Sequence, residues 1–204
     1  MIKRARNRAE IEPPRLPKQG YVEELANGRL LDQGVYVQRL LSHDNLTEQA
    51  ADDVVFEQVQ FRGVDFSRTR LARPRFIDAR FEACDVSGVE WDKAHLRRIE
   101  FIGCRLIGAK LLDARFNDVL FKESNGELGV FWSALFKTAR FEQCLLREAS
   151  FAGADLSGVV FDQCDLSQAN LRGTKLVDAD FRRSSIGGVQ VGLEELRGDR
   201  KSVV

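Results

Sequence analysis

The sequence lacks any run of apolar residues that approaches the roughly 20 needed to span a lipid bilayer. It also lacks a secretory signal, because the basic residues that follow Met1 are not succeeded by an apolar segment. The two absences predict a cytoplasmic protein with no membrane partner.

Net charge is absent as well. The 31 Lys and Arg residues balance 31 Asp and Glu residues. The charge of the whole chain therefore predicts neither a nucleic-acid binder nor an acidic surface.

The motifs of common enzyme classes are missing. No phosphate-binding loop, metal-binding box or nucleotide fingerprint occurs in the sequence. Ser42, His43 and Asp44 are consecutive, and because neighbours in an extended chain point in different directions they do not form a catalytic triad. The sequence predicts a protein that is not an enzyme, with no catalytic residue, no cofactor and no metal site.

What the sequence does contain is a pentapeptide period. All 14 phenylalanines have residue numbers that leave a remainder of one on division by five, and small residues such as Ala, Val and Cys stand two positions earlier. An α-helix has a period of about 3.6 residues and a strand a period of about 2.0, so neither fits. The period indicates a short extended segment and a bend, repeated.

A longer period, of four pentapeptides, shows how the bends close. Cys84, Cys104, Cys144 and Cys164 recur at this period with one place skipped after Cys104, and seven phenylalanines follow the same step from Phe61 to Phe181. Four pentapeptides therefore make one coil, and equivalent residues stack at the ~4.8 Å spacing of a parallel ladder. Thiols in one line do not form a tetrahedral zinc site, so the cysteines are predicted to be small core residues.

Three segments carry a family resemblance: residues 154–158 (ADLSG), 169–173 (ANLRG) and 179–183 (ADFRR). They resemble the A(D/N)LXX consensus of the pentapeptide-repeat proteins. The resemblance implies an all-β fold, a right-handed quadrilateral parallel β-helix of about 8 coils and ~38 Å over residues 36–191. Some family members bind type II topoisomerases by imitating DNA. This implies one alternative function, a regulator of DNA gyrase that protects against quinolone-type poisons.

The charge of the repeats argues against DNA imitation. Residues 51–196 contain 20 Lys and Arg against 23 Asp and Glu. Duplex DNA carries one charge per ~1.7 Å, so a rod that imitates it needs tens of negative charges. The repeat register also shows no inserted loop of the kind that the topoisomerase-protecting members use.

The segments outside the repeats have separate predictions. Residues 1–20 form a basic, proline-containing flexible arm that we expect to be solvated. Residues 21–35 form an N-terminal cap with one short helix, and residues 192–204 form a short helical C-terminal cap and tail.

Apolar residues break the polar pattern of the outward positions in one region. The candidate partner-binding residues are Leu112, Leu128, Val130, Trp132 and Leu135. Two interpretations are open. An exposed apolar patch marks a protein interface, whereas a distorted coil turns Leu128 or Trp132 inward to fill the space left by Gly126.

One face is locally basic. It contains Arg75, His95, Arg97, Arg98 and Arg115. Asp78 and Asp118 interrupt it, so direct nucleic-acid binding is not expected. The sequence as a whole predicts a non-catalytic protein-interaction module whose partner is a protein, with a second copy of the chain and a topoisomerase as two alternatives.

Overall fold

A computed structural model describes residues 10–18, 21–22 and 28–192. The described residues contain short strands and no α-helix. No helix in these ranges is long and apolar enough to cross a membrane. The strands are β1 Tyr21–Val22, β2 Val35–Val37, β3 Arg39–Ser42, β4 Ala50–Asp52, β5 Val55–Glu57, β6 Gln60–Arg62, β7 Arg70–Ala72, β8 Arg75–Glu82, β9 His95–Ile102, β10 Arg115–Lys122, β11 Leu135–Glu142 and β12 Val160–Asp162.

All strand pairs are parallel, and from β2 onward nearly all partners are four pentapeptides apart in the sequence. Isolated bridges extend the same register beyond the strands. One ladder passes through Val35, Val55, Arg75, His95, Arg115, Leu135, Asp155 and Lys175. The chain is therefore a parallel β-solenoid, and the fold predicted from the sequence is confirmed.

Each coil turns its corners at residues in the left-handed conformation. From Gly28 to Gly188, every residue whose number ends in 3 or 8 has a positive φ except Thr138 and Arg183. A β-branched side chain disfavours this conformation, which accounts for Thr138. The ladder shifts at the same place, because Asn117 of β10 pairs with Thr138 of β11.

The core is a set of stacked aromatic columns. Seven phenylalanines from Phe61 to Phe181 stack with ring centroids 4.5–4.9 Å apart. Trp91 is also buried, and its Nε1 donates a hydrogen bond to Thr69 Oγ1 at 2.9 Å. The interior is thus filled without leaving the indole N–H unpaired.

The cysteines are buried free thiols in one inward column. Cys84 Sγ donates to the Phe61 carbonyl oxygen at 3.4 Å, and Cys104 Sγ donates to that of Phe81 at 3.4 Å. Ser124, in the same column, donates to the Phe101 carbonyl oxygen at 3.4 Å. In each of these coils, therefore, a thiol or hydroxyl group of the column donates to the carbonyl oxygen of the equivalent phenylalanine.

Residues 10–18, here called the N-terminal strap, lie against one corner of the solenoid rather than forming the solvated arm that we expected. The Arg15 amide donates to Asp78 Oδ1 at 2.9 Å, and Gln58 Nε2 donates to the Arg15 carbonyl oxygen at 3.1 Å. Ile11 and Leu16 are half-buried. The strap thus joins two successive coils.

The predicted helical N-terminal cap is wrong where the structure describes it. Tyr21–Val22 is a strand that pairs in parallel with Arg39 and Leu40. It adds a two-residue rung at the open edge of the sheet. Residues 23–27 and 193–204 lie outside the described residues, and with them lies most of the predicted C-terminal cap.

Candidate functional site

The coil around Gly126 is closed rather than distorted. Gly126 occupies a position that holds Leu106 and Leu146 in the neighbouring coils. A methyl group added to Gly126 would lie 3.0 Å from Leu146 Cδ2, so the leucine already fills the slot. The remaining cavity has a volume of about 10 Å³. It has no room for a further large side chain.

The candidate partner-binding residues remain on the outside of the solenoid. Leu128 is 53% exposed, Trp132 52% and Leu135 43%, while Leu112 and Val130 are half-buried. The interpretation in which Leu128 or Trp132 turns inward is therefore wrong.

The coil register places Trp132 at the centre of this patch. Trp132 lies one coil above Leu112, as the hydrogen bond from the Asp113 amide to the Trp132 carbonyl oxygen shows at 3.0 Å. Val130 lies on the same face, where it bridges Lys110 and Ser150. Trp132 Nε1 donates to Ser150 Oγ at 2.7 Å. The indole is thus held across the face with its ring half in solvent.

The other members of the patch lie around the corners. Leu128 is itself a corner residue with φ of 59°. Leu135 begins β11 on the next face, beyond the Ser133 corner. The patch therefore covers one face and both of its edges, and we call Leu112, Leu128, Val130, Trp132 and Leu135 the Trp132 patch.

Leu145 is an exposed apolar residue that the predicted site omits. It is 45% exposed and lies one coil above Asn125, on the face that precedes the Leu128 corner. Its outward position could be read from the pentapeptide period. Its place beside the patch depends on how the coils stack across a corner.

The basic face does not include Arg98. Arg98 is 5% exposed and forms a bidentate ion pair with Asp78, which is 4% exposed. The sequence pattern placed Arg98 on the basic face, with Asp78 interrupting that face. The pair lies instead at the corner that carries the strap, and Glu12 of the strap acts electrostatically on Arg98.

Arg75, His95 and Arg115 stand on consecutive rungs of one ladder and are exposed. Arg97, also exposed, follows two residues after His95 in β9. Partial burial, and then the charges of Arg115 and Arg75, lower the pKa of His95 below its ordinary value. His95 is therefore predominantly neutral at pH 7.

Catalytic geometry is not found among the described residues. Ser42 Oγ lies 3.5 Å from His43 Nδ1, but no hydrogen bond from Asp44 orients the imidazole in this part of the chain. In the described ranges no three His, Cys, Asp or Glu side chains are placed to hold a metal ion.

Comparisons with known proteins agree with the repeat pattern. A family model described as a pentapeptide repeat region matches residues 134–198. A second model, described as pentapeptide repeats in 8 copies, matches residues 52–88. A search of curated proteins finds no significant match.

Solved structures with similar folds include the following three proteins. QnrB1, a plasmid-mediated fluoroquinolone resistance protein, is 19% identical over 91% of this chain and 98% of its own, with a TM-score of 0.39. HetL from the cyanobacterium Nostoc sp. strain PCC 7120 is involved in heterocyst differentiation regulation. It is 19% identical over 78% of this chain and 85% of its own, with a TM-score of 0.36. Rfr23 from the cyanobacterium Cyanothece 51142 is 17% identical over 50% of this chain and 60% of its own, with a TM-score of 0.19.

Proposed function

The chain belongs to the pentapeptide-repeat family, and from that premise we propose that it is a non-catalytic protein-interaction module whose contact surface is the Trp132 patch. The observation that carries the proposal is the exposure of Trp132, 52%, together with that of Leu128, 53%. Neither side chain is needed to fill the core, because Leu146 occupies the space at Gly126.

The composition of the patch resembles that of the centre of an interface. Tryptophan is enriched among the residues whose truncation most weakens protein complexes, and leucine and valine around it exclude water. Charges border the apolar residues. Arg147 lies 4.0 Å from Glu127 and 3.8 Å from Asp165, and Lys110 pairs with Glu90 at 2.8 Å. An apolar centre with a charged rim is typical of a protein-binding site.

The solenoid presents this patch on a rigid support. The backbone of Val130 pairs with both neighbouring coils through Lys110 and Ser150. A partner therefore meets a preformed surface, which lowers the entropic cost of association.

The Trp132→Ala variant tests the proposal. We expect it to lose a bound protein partner, or the dimeric state if the partner is a second copy, with an affinity loss of about 2 kcal/mol or more. Sedimentation velocity measures self-association, and affinity capture from a lysate with mass spectrometry identifies other partners. The matched control is Val177→Ala, because Val177 is 53% exposed two coils away.

Both variants must keep the thermal unfolding midpoint of the wild-type protein. The proposal is wrong if Trp132→Ala retains the same partners and the same oligomeric state as Val177→Ala.

A regulator of gyrase is the alternative function. The surface offers little support for it, since outward charges such as Arg105 and Asp85, or Lys175 and Asp155, neutralise one another. A gyrase supercoiling assay with a quinolone separates the two functions. We expect added protein to leave inhibition by the quinolone unchanged, and protection would favour the regulator.

A further inference from the structure

Several cations on this solenoid are paired with an acid one coil away. The distances between the charged atoms range from 2.7 to 3.8 Å in the pairs Arg73–Asp53, Arg80–Glu100, Lys110–Glu90, Arg62–Glu82, Lys175–Asp155 and Arg105–Asp85. The pattern follows from the stacking, since equivalent residues of successive coils are neighbours. Opposite charges on adjacent coils thus neutralise one another at these positions.

One column breaks this pattern. Arg75, His95 and Arg115 occupy three consecutive rungs. Among the described residues no acid lies within ion-pair distance of either arginine. The rungs that flank the column hold Val55 and Leu135. The charges of Arg75 and Arg115 oppose each other and also oppose protonation of His95 between them, and a bound anion would relieve that repulsion.

The column lines a surface depression of about 600 Å³. The other lining residues are Asp53, Arg73, Lys93 and Asp113. Arg73 and Asp53 are engaged with each other through two hydrogen bonds of 2.8 and 2.7 Å. Lys93 adds a further cation to the lining of the depression, and Asp53 and Asp113 add two acids.

We propose that the depression at Arg75, His95 and Arg115 binds a compact, multiply charged phosphate group, of the diphosphate class. Guanidinium groups recognise phosphate oxygens through paired hydrogen bonds. The two arginines are two rungs apart, about 10 Å at the Cα positions, and their side chains are long enough to reach a group bound between them. His95 lies on the middle rung, where its imidazole can donate a third hydrogen bond.

The site is too short for a nucleic-acid duplex. The basic column extends over three rungs, the rungs beyond it hold Val55 and Leu135, and Asp53 and Asp113 are among the residues that line the depression. A duplex that follows the rod would bring several phosphates against Asp53 and Asp113. The geometry therefore favours a small polyphosphate over a long polyanion.

Protonation of His95 couples this binding to pH. In the free protein, partial burial and the neighbouring arginines favour the neutral imidazole. A bound phosphate dianion favours the imidazolium form of His95, so binding takes up a proton. The affinity for phosphate therefore rises as the pH falls towards the pKa of His95. The charged groups that line the depression together with His95 are Arg75, Arg115, Arg73, Lys93, Asp53 and Asp113.

Calorimetric titration with pyrophosphate at low ionic strength tests the proposal. We expect Arg75→Gln and Arg115→Gln to weaken binding about tenfold or more, since each removes charge-assisted hydrogen bonds. His95→Gln should bind like the wild-type protein at pH 8 and lack the gain in affinity at pH 6. The matched control is Arg172→Gln, an exposed arginine on a distant coil, which should leave the affinity unchanged.

The substituted residues are exposed, and thermal unfolding checks that each variant is folded. The proposal is overturned if millimolar pyrophosphate does not bind, or if Arg172→Gln weakens binding as much as Arg115→Gln. It is also overturned if a short DNA duplex binds more tightly than pyrophosphate and the two site variants do not affect it. The test does not involve Trp132, so its outcome is independent of the proposed protein interface.

Discussion

At the scale of single residues, the Asp78–Arg98 pair shows how a charge is kept inside the corner of a solenoid. Burial opposes ionisation of Asp78, but hydrogen bonds from the Arg98 guanidinium and the Arg15 amide outweigh it and lower the pKa of the carboxyl group. The ionised carboxylate thus accepts bonds from both the solenoid and the strap. A buried ion pair is sensitive to the loss of either partner.

Replacement of Asp78 by Asn should therefore be costly, and the cost should depend on pH. Because the folded-state pKa is lowered, the contribution of Asp78 to stability is present above its unfolded pKa of ~3.9 and is lost as the pH falls through the folded-state value. We expect Asp78→Asn to lower the free energy of unfolding by about 3–5 kcal/mol at pH 7. Urea denaturation should show a smaller difference at pH 3.

The control for this prediction is Asp113→Asn, which alters an exposed acid that forms no ion pair with the described residues. It should change the stability by less than about 0.5 kcal/mol. An Asp78→Asn penalty that is the same at pH 7 and pH 3 would show that the carboxylate charge does not contribute.

At the scale of elements, the strap is held mainly by backbone groups. Its Arg15 amide and carbonyl bond to Asp78 and Gln58, while the exposed Arg15 side chain pairs with Glu12 of the strap itself. Surface ion pairs of that kind contribute little. The attachment should thus depend on the amide hydrogen rather than on the arginine side chain.

Arg15→Pro and Arg15→Ala separate these two contributions. Proline removes the N–H that donates to Asp78, so we expect Arg15→Pro to lower the free energy of unfolding by about 1.5–3 kcal/mol. Alanine retains the N–H and should leave stability within about 0.5 kcal/mol of the wild-type protein. Equal values for the two variants in urea denaturation would contradict the assigned role of the amide.

The sequence predicted the solenoid but not the strap, and the reason is physical. The repeated spacing of phenylalanines such as Phe61 and Phe101 predicts which residues are neighbours, because the stacking of coils places equivalent residues next to one another. The strap has no repeat. Its contacts join Arg15 to residues 43 and 63 positions away, which no periodicity indicates. The prolines of this segment do not indicate which surface it contacts.

For the candidate site, too, the sequence predicted some features and not others. The pentapeptide period placed Trp132 and Leu128 outside, and the structure has them there. It could not show whether the empty position at Gly126 would draw one of them inward. That outcome depends on how far Leu146 reaches from the neighbouring coil, which is a matter of side-chain packing. Likewise, the period placed Arg98 among the outward residues and did not indicate that it is buried against Asp78.

At the scale of the whole molecule, stability should vary along the rod. Each coil contacts only its neighbours, so local opening spreads from the ends of a solenoid. The last described coil is less buried than the middle ones, since Phe181 is half-buried and Ile186 is 47% exposed. By contrast, Phe101 and Phe116 are each 1% exposed.

Hydrogen exchange followed by mass spectrometry measures this gradient. We expect amides of β9 and β10 to exchange most slowly among the described coils, and amides of residues 171–190 to exchange at least about tenfold faster. Uniform protection along the chain would show instead that the rod opens as one cooperative unit.

The parallel register, in which each coil is one rung, also constrains how the sequence of this protein can evolve. A residue's lateral neighbour is found by moving four pentapeptides along the chain, with one extra position at the step from Asn117 to Thr138. The position of a compensating substitution can therefore be read from the sequence. A charge reversal at Arg105, for example, would be compensated by a charge reversal at Asp85. Whole coils are likewise the natural unit of gain and loss, because only the insertion or deletion of four complete pentapeptides leaves every column in register.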